Sequence, residues 1–572
     1  MSAFHPEDDL ETVIASEASD IEKLHELSRR SFLIRTGGLA AAAAGASALG
    51  GASQALARAA RAQTAAAPTL TIASSGAWQG FDTLNLAYIS NGPSMELLSA
   101  CAGTLVQVFL PPTEAKAQKA AAAGKLNGTP ALAKSWTVSP NGATYTFHLQ
   151  PHASSGFGNP LVANDVLWSF ERFLAAPTSV AAFLLSLGGI TKVSQLTAVD
   201  SKTVKVVLPA APPAYFLPIL GLVWLSIYDS TEAKTHATSS DPYAGAWLAQ
   251  NIAGHGKYRL VSTVPNQSAV LEPNPGYWGK PSKYSKVVQE GINDQSSRLQ
   301  LLLTGSAQYA EELTAQQLQQ VKKSSKTTVT AFTSTRVAFL VLDNKTPPFD
   351  SVAVRQAIAR AIPYGEILTS VYKGFAKPWK SAFIPWIQGS SDKYWNYKTD
   401  PKAAAKALAS VKGQSITLSY VEGFGSGQLI AVLIQQALNN AGLNCQLQGL
   451  LRADADKLKV TFQIPFFIDD SDSPAVPHPL YNLQYLYTTK AFQNMARYSN
   501  PTIDRLTTQL AKLPAKNLAA QNKIVDKCNK ILMHDLPYIP IAYTGTFGAE
   551  AKTVHHVGGD EVGLVYIPSL TP

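Results

Sequence analysis

Alternation of apolar and polar side chains marks several stretches as strands with one buried face. In ATYTFHLQ the positions Tyr145, Phe147 and Leu149 fall on one side; in SKTVKVVLP it is Val204, Val206 and Leu208, and in QSITLSY it is Ile416, Leu418 and Tyr420. A shorter stretch, NCQLQ from Asn444, repeats the pattern. Helical spacing lies between these strands. In VANDVLWSFERFLAA the apolar positions Val166, Leu167, Phe170, Phe173 and Leu174 share one helix face, with Asn164 or Asp165 placed to cap it. FDSVAVRQAIARAI does the same with Val354, Ala357, Ile358, Ala361 and Ile362 behind Asp350 or Ser351. Strands interleaved with helices predict an α/β chain.

Three further patterns set the organisation. The run AYFLPILGLVWLSIY, residues 214–228, is broken by Pro218 and Gly221 and is shorter than the roughly 20 residues a bilayer requires, so it is expected in a core. Turn residues cluster at SPNGA, NPGYWGKPS, TPPFD and SDSPAVPHP. No fixed-period repeat is visible, which excludes a solenoid.

Near the N-terminus the hydropathy changes character. Arg29, Arg30 and Arg35 form a cationic edge, residues 36–57 are uncharged and rich in Ala and Gly, and Ala60-Arg61-Ala62 offers small residues for cleavage. Such a run partitions poorly into hydrocarbon, so a cleaved export leader over residues 1–62 is expected rather than an anchor. SRRSFLI resembles the twin-arginine signal, with Ile34 where that pattern usually has lysine. The resemblance implies a periplasmic protein exported by the twin-arginine route.

With the leader removed, the rest of the 572-residue chain is too long for one ordinary core, so two or three domains are expected. The net charge is +9. Its basic residues are scattered, with no aromatic-interleaved basic motif, and nucleic acid is not an expected partner. Cys101, Cys445 and Cys528 are far apart and odd in number, which signals neither a disulfide framework nor a zinc site. One disulfide and buried free thiols both stay open.

Catalytic patterns fail. HExxH, GxxxxGK[ST], CxxC and GxSxG are absent, and GFGSGQ from Gly423 lacks the register of a phosphate loop. His555 and His556 are adjacent and would point to opposite faces of a strand. FIDDSDSP places Asp469, Asp470 and Asp472 together but lacks the remainder of a calcium loop. No cofactor or metal is expected, and an exported protein without catalytic signals points towards binding.

Six stretches, in order, resemble the extracellular solute-binding proteins of family 5, which serve ATP-binding-cassette importers of peptides and nickel. They are the block LAKSWTVSPNGATYTFHLQPHASSGFGNPLVANDVLWSFERF (132–173), GHGKYRL (254–260), LEPNPGYWGKPSKY (271–284), DNKTPPFDSVAVRQAIARAI (343–362), YSNPTIDRL and DLPYIPIAY. GHGKYRL is similar to the family's GTGPY-like turn, with His255 and Lys257 substituted. The resemblance spans about residues 69–543. Tyr277 and Trp278, presented by the Asn274-Pro275-Gly276 turn, read as structural anchors, and Arg355 as a packing or surface-pair residue.

The resemblance implies a two-lobed periplasmic-binding-protein fold (type II, cluster C) with an additional domain inserted in lobe one. Lobe one would hold 66–105, 248–333 and 530–572, the inserted domain 106–247, and lobe two 334–529. It implies no covalent chemistry: a solute is enclosed by hinge closure, and the closed form is recognised by the permease subunits of an importer. A monomer is expected, with one face left free for docking. In peptide-binding members an aspartate pairs with the ligand's amino terminus. Alignment on Pro474 puts Asp470 there, and a shift of one residue would choose Asp469. Trp78, Trp386 and Phe424, on loops expected to face the ligand, and Asn494 complete the candidate set. The expected ligand is a peptide or another small amphiphilic solute. The alternatives are an exported cofactor-containing enzyme, or a binding protein for an opine, aromatic amide, chelated metal or haem that feeds a transporter or chemoreceptor.

Overall fold

Two large sheets and a smaller third organise the chain, which the computed structural model describes over residues 67–85, 91–108, 110–111, 113–123, 128–265, 267–422, 425–470, 474–514, 517–556 and 566–572. The expected leader, Phe424 and Asp472 lie outside the described residues. The first sheet has seven strands, in the order Thr327–Phe332, Thr546–Ala551, Tyr309–Ala310, Thr69–Ser74, Lys286–Gly291, Ser268–Pro273 and Tyr258–Val264. The second has six: Lys377–Pro378, Tyr538–Tyr543, Val337–Leu342, Phe466–Asp469, Ser415–Val421 and Asn444–Leu450. A four-stranded antiparallel sheet, built from Ala133–Val138, Thr144–Leu149, Thr203–Val207 and Leu196–Asp200, belongs to the stretch expected as an insertion.

Strand character follows burial. VAFLVL at Val337–Leu342 and YIPIAY at Tyr538–Tyr543 are buried at every position, as unbroken apolar runs in the middle of a covered sheet should be. The alternating stretches are strands too, at Thr144–Leu149, Thr203–Val207, Ser415–Val421 and Asn444–Leu450. The helix Val352–Ala361 is capped by Ser351, whose side chain accepts from the Val354 amide. The helix Ala163–Leu174 starts ahead of both expected caps. Val162 holds the cap position and has no side-chain acceptor, so Asp165, three residues in, accepts from the Val162 amide at 2.9 Å. The segment 214–228 is broken into the short helices Phe216–Ile219 and Val223–Leu225 and lies in the core.

The chain passes between the two large sheets at neighbouring places. Thr327–Phe332 leads through 333–336 into Val337–Leu342, and Tyr538–Tyr543 leads through 544–545 into Thr546–Ala551. The crossings run side by side, because Phe332 is opposite Thr546 and Val337 is opposite Tyr543. Thr544 donates from its amide to the Arg336 carbonyl at 3.3 Å. Gly545 has φ of 63°, a left-handed conformation that glycine adopts at little cost.

This topology corrects one boundary. Lobe one was expected to resume at 530, yet Tyr538–Tyr543 is an interior strand of the second sheet and the first sheet resumes only at Thr546–Ala551. Six buried residues on YIPIAY complete the second sheet against VAFLVL.

The four-stranded unit also reaches the second sheet's side. Phe183 stacks on Phe492 with centroids 4.5 Å apart, and the Tyr215 hydroxyl donates to Gln484 at 2.5 Å. Lys377 pairs with Glu114 at 2.8 Å. One apolar core runs through both. Arg355 is buried and donates to the carbonyls of Asp535, Phe349 and Asp350, so it ties backbone ends rather than a carboxylate. All three cysteines are free and buried, and burial pushes the Cys445 thiol up to about 11 and the Cys528 thiol up to about 12. Among the described residues no helix is long and apolar enough to cross a membrane.

Candidate functional site

The strand Phe466–Asp469 ends at the edge of the second sheet that carries the crossings, since Asp469 is opposite Phe339. Side chains alternate faces along an extended chain, and the two aspartates part accordingly. Asp469 is held by Lys459 at 2.7 Å. Asp470 accepts from the Ser426 amide at 2.6 Å, at the start of the helix Gly427–Asn440, where a helix N-terminus favours a negative charge.

Glycine makes this approach possible. At Gly425, with φ of 53°, a Cβ would collide with an Asp470 carboxylate oxygen, and at Gly427 it would stand 3.3 Å from the other. The clustered glycines that looked like a failed phosphate loop therefore seat a carboxylate of the chain itself.

Arg336 sits in the first crossing. Its guanidinium grips Glu312 by two hydrogen bonds, at 2.7 and 2.9 Å. Glu312 follows the strand Tyr309–Ala310, so its carboxylate comes from the first sheet and Asp470 from the second. Burial pushes Asp470 up to about 6, against the pull of the Arg336 charge and the Ser426 amide. Burial also works on Glu312, but Arg336 overrides it and holds that carboxyl below its usual range. Tyr372 adds a buried hydroxyl with no hydrogen-bond partner, raised by burial and then by the charge of Asp470. An unsatisfied buried hydroxyl beside two opposite charges is a group waiting for an acceptor or donor.

Trp386 reaches the same crossing. Its indole N–H donates to the Ser334 carbonyl at 3.0 Å, and the Tyr543 hydroxyl donates to the same atom at 3.2 Å. The other described candidates are occupied elsewhere. Trp78 stacks on Phe81 at 4.8 Å in the core of the first sheet and donates to the Ser268 carbonyl. Asn494 uses its amide within its own loop, donating to Thr488, Thr489 and Tyr498 and accepting from the Tyr498 amide. Burial and loop closure account for both residues. Sequence reasoning missed Arg336, Glu312 and Tyr372; for Arg336 the available signal was the polar stretch TSTR between two strand patterns.

Among the described residues no group of three or more His, Cys, Asp or Glu side chains is placed to hold a metal ion. The described groups here are a carboxylate, an arginine–glutamate pair and a phenol, chemistry able to pair with ammonium, carboxylate and amide groups.

A profile described as Bacterial extracellular solute-binding proteins, family 5 Middle, matches residues 127–494. The chain belongs to this family. It is 28% identical to a probable D,D-dipeptide-binding periplasmic protein of Escherichia coli K12, over 71% of this chain and 78% of that one. Its fold is similar to that of a periplasmic binding protein from Helicobacter pylori in complex with the peptide STSA, with a TM-score of 0.75, 22% identity and coverage of 88% and 98% of the two chains. A binding protein in complex with agropinic acid from A. tumefaciens R10 superposes with a TM-score of 0.73 at 22% identity, over 88% and 96%. The family is one of substrate-binding proteins, and this chain shares the α/β architecture of the two solved structures.

Proposed function

We propose that this protein is a periplasmic substrate-binding protein that captures a peptide or peptide-like solute between its two lobes and delivers it to the permease subunits of an ABC importer. The observation that carries the reading is Asp470, a buried carboxylate held by one amide hydrogen bond beside the crossings. A peptide's α-ammonium would supply the cation that a buried ionised aspartate demands. Trp386 and Phe424 would border the ligand, with main-chain hydrogen bonds to the peptide giving affinity.

In this reading the protein acts as a monomer, carries no cofactor and makes or breaks no bond. Ligand binding favours a closed arrangement of the lobes, with the paired crossings as the hinge and 106–247 as an inserted domain. A twin-arginine leader would export it. The relative named as a periplasmic dipeptide-binding protein favours the same compartment and ligand class.

The test is native mass spectrometry of protein purified from the periplasm, followed by calorimetric titration with the peptides found. A spread of co-purified peptide masses is expected, and Asp470→Asn should cost on the order of 3 kcal/mol in peptide affinity, roughly 100-fold. A single non-peptide mass would replace the ligand class, and an unaltered affinity in the variant would remove Asp470 from the site.

A further inference from the structure

One cavity has none of the side chains around Asp470 in its wall. It has a volume of about 80 Å³ and is walled by the first-sheet turn 254–257, the segments 103–108 and 221–226, the Tyr277-Trp278 pair and the segment around Pro568. The turn is GHGKY, where this chain carries His255 and Lys257. Its glycines explain the geometry: a Cβ at Gly254 or Gly256 would run into the backbone of 100–102, and the Gly256 amide donates to the Cys101 carbonyl at 2.9 Å. Pressed against that helix end, the turn holds Lys257 at the cavity wall.

The polar groups of the wall are short of acceptors. Lys257 is half-buried, its ammonium donates to the Pro568 carbonyl at 2.9 Å, and no carboxylate pairs with it among the described residues. The Trp278 indole N–H is buried and has no hydrogen-bond partner among the described residues. Among the described residues no Asp or Glu borders the cavity. His255, fully buried in the same wall, is held below its usual value by burial and so adds no second charge at neutral pH. The rest of the wall is part apolar, from Val108, Leu132, Leu222 and Trp224, and part polar, from Thr104, Gln107 and Ser226. A partly desolvated cation without a counter-charge and a buried donor without an acceptor are both costly, and a single anionic group with an apolar tail relieves both.

We propose that this cavity is a second binding site, for a small monocarboxylate whose carboxylate is received by the Lys257 ammonium and the Trp278 indole N–H and whose short apolar tail lies against Val108, Leu132, Leu222 and Trp224. It is separate from the peptide site and does not depend on that assignment.

The experiment is equilibrium dialysis of the full-length mature protein against radiolabelled butyrate at neutral pH. One saturable site is expected, not displaced by butanol. Lys257→Met should weaken binding at least tenfold, and Trp278→Phe, which keeps an aromatic ring and removes the N–H, several-fold, with both variants retaining the wild-type melting profile and peptide affinity. Asp470→Asn should leave butyrate binding unchanged. Absence of a saturable site, equal binding by Lys257→Met, loss of binding in Asp470→Asn, or displacement by sulfate as effective as by butyrate itself would each overturn the proposal.

Discussion

A carboxylate that receives an ammonium must be ionised when the ligand arrives. Burial holds Asp470 at about 6, so the ligand-free protein is mostly ionised at neutral pH and progressively protonated below that value. In the proposed pairing of Asp470 with the ligand's ammonium, peptide affinity should fall as pH drops through 6, approaching about tenfold per unit below it. Calorimetric titration across that range checks the slope, and Asp470→Asn should flatten it. At this scale the sequence is legible only where a pattern exists. Spacing does not choose between Asp469 and Asp470; the fold gives them different partners, Lys459 beside Asp469 and the Ser426 amide and Arg336 charge beside Asp470. Arg336 is a lone arginine in a polar stretch, and its grip on Glu312 depends on a contact 24 residues apart that no local periodicity records. Trp78 and Asn494 are loop residues by pattern, and their partners come from packing that composition does not reveal.

Among the elements, Thr546–Ala551 carries an unusual burden. Glu550 is buried on it, facing the first sheet's core, and accepts from the Thr330 hydroxyl on the adjoining strand. Burial pushes its carboxyl up to about 7, with Thr330 opposing. The fold therefore favours the protonated form: the stabilisation is complete below the unfolded value near 4.5 and is lost as pH rises through about 7. Glu550→Gln should remove this loss, on the order of 3 kcal/mol, which urea unfolding at about pH 5 and about pH 8 would reveal as a smaller difference in the variant than in the wild type. Strands such as Thr144–Leu149 were readable because alternation survives wherever one face is exposed. Tyr538–Tyr543 shows no alternation, and its six consecutive buried residues fit the middle of either sheet, so its place in the second was not legible.

Across the whole molecule, the four-stranded unit and the second sheet's side share one apolar core, and specific contacts join them. The stack of Phe183 on Phe492 and the Tyr215–Gln484 hydrogen bond exist only when the two are together; the exposed Lys377–Glu114 pair contributes little. Phe492→Ala should cost about 1 kcal/mol of that association, lowering ligand affinity roughly fivefold. Small-angle scattering should show a larger radius of gyration for the ligand-free variant, and an unchanged curve would mean the stack plays no part in closure. The paired crossings have another effect, on synthesis. Every strand of the second sheet lies between Val337 and Tyr543, so that sheet emerges from the ribosome as one continuous piece. Thr546–Ala551, by contrast, fills the gap between Thr327–Phe332 and Tyr309–Ala310, and it is made only after the whole second sheet. The lobe begun first is thus completed later, and until that strand arrives its neighbours stand with unpaired edges open to a chaperone or to another chain.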